Sequence, residues 1–235
     1  MCPARAAERA RIGQQLAAIL FDFGGTLDGT LPWKDRMLRL CRAEGVVVAP
    51  ERFDAAFYAA DDVLVSKIPH TLSLAETVRR LTLGLGAALD LSDGLVERIA
   101  RRFVDDTTGC VRDNVSLLSE LSRRYHLGIV SNFYGNLAGV CEDVGLRPLF
   151  GVIVDSATVG WTKPDPRIFE HALHELGVHA DEATFVGDSQ ARDMAGARGI
   201  GMAHIWLAGE ASQPRPCCPG DRVIRSLAEL RGLLL

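Results

Sequence analysis

The sequence predicts an α/β protein in which a doubly wound parallel sheet is interrupted by a block of inserted helices. Three observations support this prediction. Short apolar runs alternate with amphipathic helical segments over most of the 235 residues. One interval, 33–108, has helical patterns but no convincing strand. The chain is also long enough to form one domain together with a smaller one.

Six apolar runs have the length of strands, and Gly, Ser, Asn or Asp follows most of them. Runs of this kind are typical of strands that are buried on both faces of a parallel sheet. Between the later runs, apolar residues recur with helical spacing after turn or capping residues, which predicts strand–helix units. The predicted strands are 16–21, 127–130, 152–154, 183–186, 202–207 and 223–224, and the predicted helices between them are 114–124, Pro166–Leu176 and 193–198.

The interval between the first two predicted strands contains four further helical stretches, at 33–44, 50–67, 73–89 and 92–106. Their apolar residues fall on one face, as the spacing of helix surfaces requires. We interpret them as an inserted helical bundle. The alternative, core helices that flank the sheet, would leave the first strand without an early partner. The predicted division is a core formed by 1–30 and 109–235, with the insertion at 31–108.

The composition is ordinary for a globular protein with a buried core, since 48% of residues are hydrophobic and 24% are charged. The formal charge of −4 gives no reason to expect nucleic acid or an anionic membrane as a partner. No apolar run approaches the ~20 residues of a membrane helix, and residues 1–15 lack a signal-peptide pattern. We therefore expect a soluble, cytoplasmic protein.

The six cysteines show no metal-binding spacing, so the sequence predicts neither a zinc site nor a disulfide framework. Cys217 and Cys218, the one adjacent pair, are expected to be free thiols.

Polar side chains follow three of the predicted strands at the point where each strand ends. Asp22 follows the first strand, Ser131 follows the second, and Asp188 follows the fourth after one glycine. The carboxyl ends of parallel strands lie along one edge of a sheet, where ligands bind. Any one of these residues alone is explained as a helix N-cap. The three together predict a functional site at this edge.

The residues around these strand ends suit a phosphate and a hard cation. Gly24 and Gly25 follow Asp22 and allow a sharp turn close to a ligand. Asp188 and Asp193 add two carboxylates to that of Asp22, and carboxylate oxygens are suitable ligands for Mg²⁺. Lys163 lies in the segment WTKPDPRIF, where Pro164 and Pro166 stiffen the loop that holds it. A lysine there can neutralise the charge that accumulates when phosphorus is attacked.

Four motifs occur in order: Asp-x-x-Gly-Thr-Leu, Ser-Asn, Lys-Pro-Asp-Pro and Gly-Asp-Ser-x-x-x-Asp. Together they resemble the signature motifs of the haloacid dehalogenase superfamily, whose core is Rossmann-like. The resemblance covers 16 to about 207, and the insertion lies where family members carry a cap domain. It implies a hydrolase, phosphatase-like, that needs Mg²⁺ and acts on a small-molecule substrate. We expect a monomer or a homodimer.

The resemblance also implies roles for individual residues. Asp22 would be the nucleophile and would form an aspartyl-phosphate. Metal ligands would be Asp22, the backbone carbonyl of Gly24, and Asp188. Asp193 would hold metal-bound water or orient Lys163. The residues that bind the phosphoryl group would be Thr26, Ser131, Asn132 and Lys163.

The chain departs from the family pattern at Gly24, where most phosphatases of the superfamily carry a second aspartate that protonates the leaving group. Glycine has no proton to donate, and general acid–base catalysis contributes roughly 10²–10⁴-fold. An alkyl phosphate is therefore expected to be a poor substrate unless another residue supplies the proton. Asp28 is a candidate, although a solvent-facing turn residue is the simpler interpretation of it.

Three alternatives to the phosphatase remain open. A dehalogenase needs no proton donor, but dehalogenases typically lack the acid found here at Asp188. A phosphonate hydrolase would need a cap lysine that forms a Schiff base, and Lys67 is the better of two candidates. A lysine at the end of a helix is also explained as a solvated charge. Finally, a binding protein with impaired catalysis would keep the pocket without the acid.

Overall fold

The computed structural model describes residues 16–209 and 221–235. At its centre lies a parallel sheet of six strands in the order β3-β2-β1-β4-β5-β6. Each of the six predicted apolar runs coincides with one strand, so the predicted α/β parallel sheet is confirmed. The strands are β1 (Ala18–Phe21), β2 (His126–Ser131), β3 (Val152–Asp155), β4 (Ala183–Gly187), β5 (Ala203–Leu207) and β6 (Arg222–Ile224).

The direction in which the chain adds strands reverses at β1. After β1 the chain forms β2 and β3 on one side, and then β4, β5 and β6 on the other. The register pairs Phe21 with Ile129 of β2 and with Val186 of β4. The strands on either side of this reversal therefore end level with each other, and the crevice between their carboxyl ends is where open α/β sheets bind ligands.

Four inserted helices separate β1 from β2: α1 (Trp33–Ala43), α2 (Pro50–Leu64), α3 (Leu74–Leu89) and α4 (Asp93–Leu121). No strand of the described sheet comes from this interval, as the sequence predicts. α3 begins after Ser73, whose hydroxyl accepts a hydrogen bond of 3.2 Å from the backbone N–H of Glu76 and caps the first turn. α3 packs against both α2 and α4.

The prediction of two separate helices at 92–106 and 114–124 was wrong, because α4 is one continuous helix of 29 residues. Its buried residues continue with helical spacing through Thr107 and Val111 to Leu118. Gly109 lies inside it at a cost of roughly 1 kcal/mol relative to alanine, which the burial of this face offsets. The predicted boundary at 108/109 thus falls within α4, and the division into core and cap remains a prediction.

The remaining helices flank the sheet. They are α5 (Leu137–Asp143), α6 (Ser156–Val159), α7 (Pro166–Leu176), α8 (Ala195–Gly199) and α9 (Leu230–Leu234). The predicted helix Pro166–Leu176 is confirmed, and the one at 193–198 corresponds to α8 together with the turn before it.

Alternate residues of β1 contact different clusters, as the twofold period of a strand requires. Ile19 and Phe21 belong to the core shared with the inserted helices, and Leu20 packs with Phe169 and Phe185 on the other face. β1 is therefore buried on both sides, and the residue that follows it is held in a fixed position.

Among the described residues, no helix is long and apolar enough to span a membrane. Residues 1–15, together with Cys217 and Cys218, lie outside the part of the chain that the structure describes.

Candidate active site

Asp22 lies at the carboxyl end of β1 and is only 6% exposed. Its Oδ1 atom accepts hydrogen bonds from the backbone N–H of Phe23 at 2.7 Å and from the Ser131 hydroxyl at 2.6 Å. The ammonium Nζ of Lys163 lies 2.8 Å from the same oxygen. β1 and β2 are neighbours in the sheet, so Ser131 reaches Asp22 directly from the end of the adjacent strand. The predicted meeting of the first three motifs is therefore present.

Lys163 is buried between two carboxylates. Its Nζ lies 2.8 Å from Asp22 Oδ1 and 2.7 Å from Asp193 Oδ1. Burial disfavours the charged form, but the charges of Asp193 and Asp22 outweigh it and raise the pKa of Lys163. The side chain is thus held as an ammonium ion. Of the two roles considered for Asp193, the geometry shows the contact that orients Lys163.

The side chain of Asn132 is hydrogen-bonded to the backbone of Lys163. The side-chain Oδ1 of Asn132 accepts from the Lys163 N–H at 2.8 Å, and its Nδ2 donates to the Lys163 carbonyl at 3.2 Å. Because both polar ends of this side chain contact Lys163, Asn132 positions the lysine loop. The amide nitrogen carries a second N–H, so binding of phosphate by this side chain is compatible with these bonds and stays a prediction.

The carboxylates of Asp22, Asp188 and Asp193 form a cluster in which one ligand oxygen from each lies within 4.8 Å of the others. Burial raises the pKa of Asp188 to about 8, with further contributions from the charges of Asp22 and Asp193. The Oδ1 atom of Asp188 is buried and has no hydrogen-bond partner within the described ranges. Lys163 forms ion pairs with Asp22 and Asp193, which leaves the Asp188 oxygen without a cation beside it. This arrangement of carboxylates fits a hard dication such as Mg²⁺.

The two glycines after Asp22 differ in whether the structure requires glycine at their position. Gly25 has φ +82°, and a Cβ there would lie 2.5 Å from Asp188 Oδ2, so only glycine fits between the loop and that carboxylate. Gly24 has φ −70° and ψ 118°, which any residue adopts. A Cβ at Gly24 would lie 3.4 Å from Cδ1 of Trp33, an ordinary contact distance. The backbone therefore does not require glycine at position 24.

Thr26 lies in the same loop, is buried, and is not among the residues that line the cavity described below. Its hydroxyl has no hydrogen-bond partner in the described part of the chain. The structure thus does not bring Thr26 to the surface on which Ser131 and Lys163 lie. Its proposed contact with a phosphoryl group remains a prediction.

The interpretation of Asp28 as a solvent-facing residue was wrong, because Asp28 is 0% exposed. It accepts from the Gly25 N–H at 2.7 Å and from the Trp33 indole, and it lies 2.9 Å from the Arg36 guanidinium. Burial raises the pKa of Asp28, while Arg36 opposes that shift. Arg36 in turn donates to the Thr107 hydroxyl at 2.6 Å. Asp28 therefore ties the loop after Asp22 to α1 and α4 rather than facing the cavity.

A cavity of about 500 Å³ opens above Asp22 and reaches the inserted helices. The core contributes Asp22, Ser131 and Lys163 to its wall, while α1 and α2 contribute aromatic and charged side chains that the sequence did not single out as a group. The main residues from outside the four motifs are Trp33, Lys34, Phe57, Tyr58, Asp61 and Tyr134, and Arg192 comes from a variable position of the fourth motif.

A signal for part of this wall exists in the sequence. Phe57, Asp61 and Val65 recur at intervals of four residues, so they lie on the same face of α2 and just beyond its end. Without knowing which face was turned to the core, this spacing could not distinguish a cavity wall from an ordinary packing face.

The structure supports the interpretation of Lys67 as a solvated charge rather than as a Schiff-base lysine. Lys67 is exposed in the turn after α2 and is not among the residues that line the cavity, whereas Lys34 lines it. Lys34 Nζ is 2.9 Å from Asp54 Oδ1, and the hydrogen bond to Asp54 raises the pKa of this lysine. A Schiff-base lysine needs a lowered pKa. The environment of Lys34 therefore does not favour that chemistry.

Comparison with known proteins identifies the family to which these motifs belong. A family model described as haloacid dehalogenase-like hydrolase matches residues 16–201. The human protein named haloacid dehalogenase-like hydrolase domain-containing protein 3 is 30% identical over 228 residues, which cover 85% of this chain and 91% of that protein. Its Bos taurus counterpart is 43% identical over 111 residues, covering 46% of this chain and 44% of that protein.

The pyrimidine 5'-nucleotidase YjjG of Escherichia coli is 36% identical over 123 residues, or 51% of this chain and 54% of that protein. Among solved structures, the putative HAD-hydrolase YfnB from Bacillus subtilis bound to magnesium superposes with a TM-score of 0.61 and 23% identity. That match covers 94% of this chain and 99% of the other, and at this identity it shows the fold alone. The family model and the human relative, joined to the arrangement of the four motifs, show that this chain belongs to the haloacid dehalogenase-like hydrolases.

Proposed function

We propose that this hydrolase is a Mg²⁺-dependent phosphohydrolase or phosphotransferase that acts on a small phosphorylated metabolite through an aspartyl-phosphate on Asp22. The observation that carries the proposal is the convergence of Ser131 and Lys163 on Asp22 at the floor of the cavity. A hydroxyl and an ammonium that lie beside a nucleophilic carboxylate are also in reach of the oxygens of a phosphoryl group bound there.

In the first step the Asp22 carboxylate attacks phosphorus and the substrate oxygen leaves. Ser131 and Lys163 donate to the phosphoryl oxygens as their charge develops, and Asp193 keeps Lys163 charged and oriented. Asp22, the Gly24 carbonyl and Asp188 would hold Mg²⁺, which when bound neutralises phosphoryl charge. Water then attacks the aspartyl-phosphate, which releases phosphate and regenerates Asp22.

The inserted helices complete the site, because α1 and α2 form the cavity wall opposite Asp22. We infer that this wall selects the substrate and excludes water from the aspartyl-phosphate. The relatives named as phosphatases or nucleotidases, including YjjG, support a phosphoryl substrate in general. The cavity has room for a small molecule, since about 500 Å³ is within the range of ligand pockets.

The alternatives are less well supported by the described residues. A halide-releasing enzyme has no use for the buried, unpartnered oxygen of Asp188. The phosphonate route lacks a suitable lysine, because Lys34 is ion-paired and Lys67 is not among the residues that line the cavity. A binding protein without catalysis is favoured by one observation, the glycine at position 24, which leaves the usual position of the proton donor without a side chain.

The enzyme and the binding protein are distinguished by turnover of an activated phosphate. We expect wild-type protein with Mg²⁺ to hydrolyse p-nitrophenyl phosphate and Asp22→Asn to be inactive while it remains folded, because the amide is nearly isosteric but not nucleophilic. Circular dichroism of the variant provides the folding control. Tight binding of phosphate by wild-type protein without turnover would support the binding protein instead.

A further inference from the structure

The proposed reaction lacks a proton donor at its usual position, and the structure narrows the search for a replacement. Gly24 has no side chain, and Asp28 is enclosed by Gly25, Trp33 and Arg36 away from the cavity. A replacement must be a titratable side chain that lines the same cavity as Asp22. It must also be able to exist in a protonated form and to release that proton.

The carboxylates that line the cavity, apart from Asp22 itself, are Asp35 and Asp61. The Asp35 side chain is 50% exposed and lies 3.9 Å from Lys34 Nζ. Asp61 projects from the face of α2 that also carries Phe57 toward the cavity, and it is partly buried. Of the two, Asp61 is the carboxylate sheltered from bulk water.

Asp61 is held at a fixed place relative to the loop that follows β2. Its Oδ1 accepts a hydrogen bond from the hydroxyl of Tyr134, which is three residues after Ser131. The end of α2 is joined to the same loop because the N–H of Ser66 donates to the Tyr134 carbonyl at 3.1 Å. Asn136 Nδ2 adds a bond of 2.9 Å to the carbonyl of Leu72. These contacts fix Asp61 relative to the loop that follows Ser131, and both residues line the same cavity, as a catalytic group requires.

We propose that Asp61 is the proton donor of this enzyme and replaces the acid that is absent at Gly24. This inference rests on the proposed phosphohydrolase function. As an Asp22 oxygen bonds to phosphorus, the P–O bond to the leaving group breaks, and its electron pair takes the Asp61 proton directly or through one water. The product is an alcohol, and Asp61 is left as a carboxylate. That carboxylate then takes a proton from the water that attacks the aspartyl-phosphate, so the cycle restores Asp61.

The groups that face Asp61 are consistent with this role. Burial raises the pKa of Asp61 and the neighbouring Asp62 adds to the shift, while the Tyr134 hydroxyl and Arg192 act in the opposite direction. The other groups are poorer donors. Burial and Asp61 raise the pKa of Tyr134 well above its usual value, and the hydrogen bond to Asp54 raises that of Lys34. Both therefore hold their protons more tightly than Asp61 does.

The test compares two probes, p-nitrophenyl phosphate, whose leaving group needs no proton, and ethyl phosphate, whose leaving group does. We expect Asp61→Asn to lower kcat/KM for ethyl phosphate by roughly 10²–10⁴-fold, the usual contribution of a general acid. Turnover of p-nitrophenyl phosphate should change little. The matched control is Glu51→Gln, which removes an exposed carboxylate from the first turn of the same helix, away from the cavity, and should behave as wild type with both probes.

A second variant keeps the proposal testable if Asp61→Asn is poorly folded. Tyr134→Phe removes the hydrogen bond that lowers the pKa of Asp61, so the protonated acid should persist to higher pH. The high-pH limb of kcat/KM for ethyl phosphate should then move upward.

Three results would overturn the inference while leaving the proposed function intact: equal losses with both probes, a change in KM alone, or an Asp61→Asn enzyme that retains its ethyl phosphate activity. An unmoved pH limb in Tyr134→Phe would also count against it. Wild-type protein that is inert even toward p-nitrophenyl phosphate would overturn the proposed function, and this inference with it.

Discussion

Gly24→Asp restores the acid at the position where most phosphatases of the superfamily carry it, and the structure indicates that the chain can accept it. The backbone at Gly24, with φ −70° and ψ 118°, suits any residue. The new Cβ would lie 3.4 Å from Trp33 Cδ1 and 3.6 Å from Nε1, which is ordinary contact. Replacing a glycine whose conformation other residues can adopt usually stabilises the folded protein by ~0.4–1 kcal/mol, because the unfolded chain loses conformational entropy. We therefore expect no loss of stability beyond about 1 kcal/mol.

The effect on catalysis depends on whether Asp61 already supplies the proton. In wild-type background the gain for ethyl phosphate should be small. In the Asp61→Asn background, Gly24→Asp should recover much of the roughly 10²–10⁴-fold that general acid catalysis contributes. It should also flatten the dependence of kcat/KM on leaving-group pKa across a series of aryl and alkyl phosphates.

Gly24→Asn is the matched control, since it has nearly the same shape but has no carboxylic proton to donate. It should rescue nothing. If Gly24→Asp is folded and gives no recovery in the Asp61→Asn background, the reasoning about the missing acid is refuted. If it instead accelerates wild type by the full factor, Asp61 is not the donor.

Two further predictions concern metal binding and stability. Asp188→Asn and Gly25→Ala should each weaken Mg²⁺ binding in calorimetric titrations. The first removes an anionic ligand, and the second adds a methyl group that pushes against the Asp188 carboxylate. An unchanged Kd in both variants would place the metal elsewhere. Asp28→Asn should lower the free energy of unfolding by ~3–5 kcal/mol in urea, because it leaves the buried Arg36 without its carboxylate. The control is Asp90→Asn, at an exposed ion pair with Arg52 and in a left-handed backbone conformation that Asn also adopts. It should lower the free energy of unfolding by less than about 1 kcal/mol. Equal losses in the two variants would contradict the burial of the Asp28–Arg36 pair.

The sheet and the meeting of the motifs were predictable from the sequence because they depend on local signals. Buried parallel strands leave short apolar runs, and the residues that follow them must meet at one edge. Asp22 and Ser131 were therefore placed together correctly. The contact of Lys163 with both Asp22 and Asp193 follows from the same topology.

The features that were missed depend on tertiary packing. The sequence predicted a break between 106 and 114, but burial of Thr107 and Val111 holds α4 together there. Asp28 carries no local sign of burial, since its partners Trp33 and Arg36 come from the next helix. The position of Asp61 over the cavity depends on how α2 docks on the loop after β2, which periodicity alone does not specify.

The central claim, an aspartyl-phosphate on Asp22, is tested most directly by trapping it. Wild-type protein turning over p-nitrophenyl phosphate with Mg²⁺ is quenched in acid, reduced with borohydride and digested, and the peptides are analysed by mass spectrometry. We predict that reduction occurs at Asp22, that it depends on substrate, and that Asp22→Asn shows none. Turnover with no modification at Asp22, or with the modification at another carboxylate, would contradict the account.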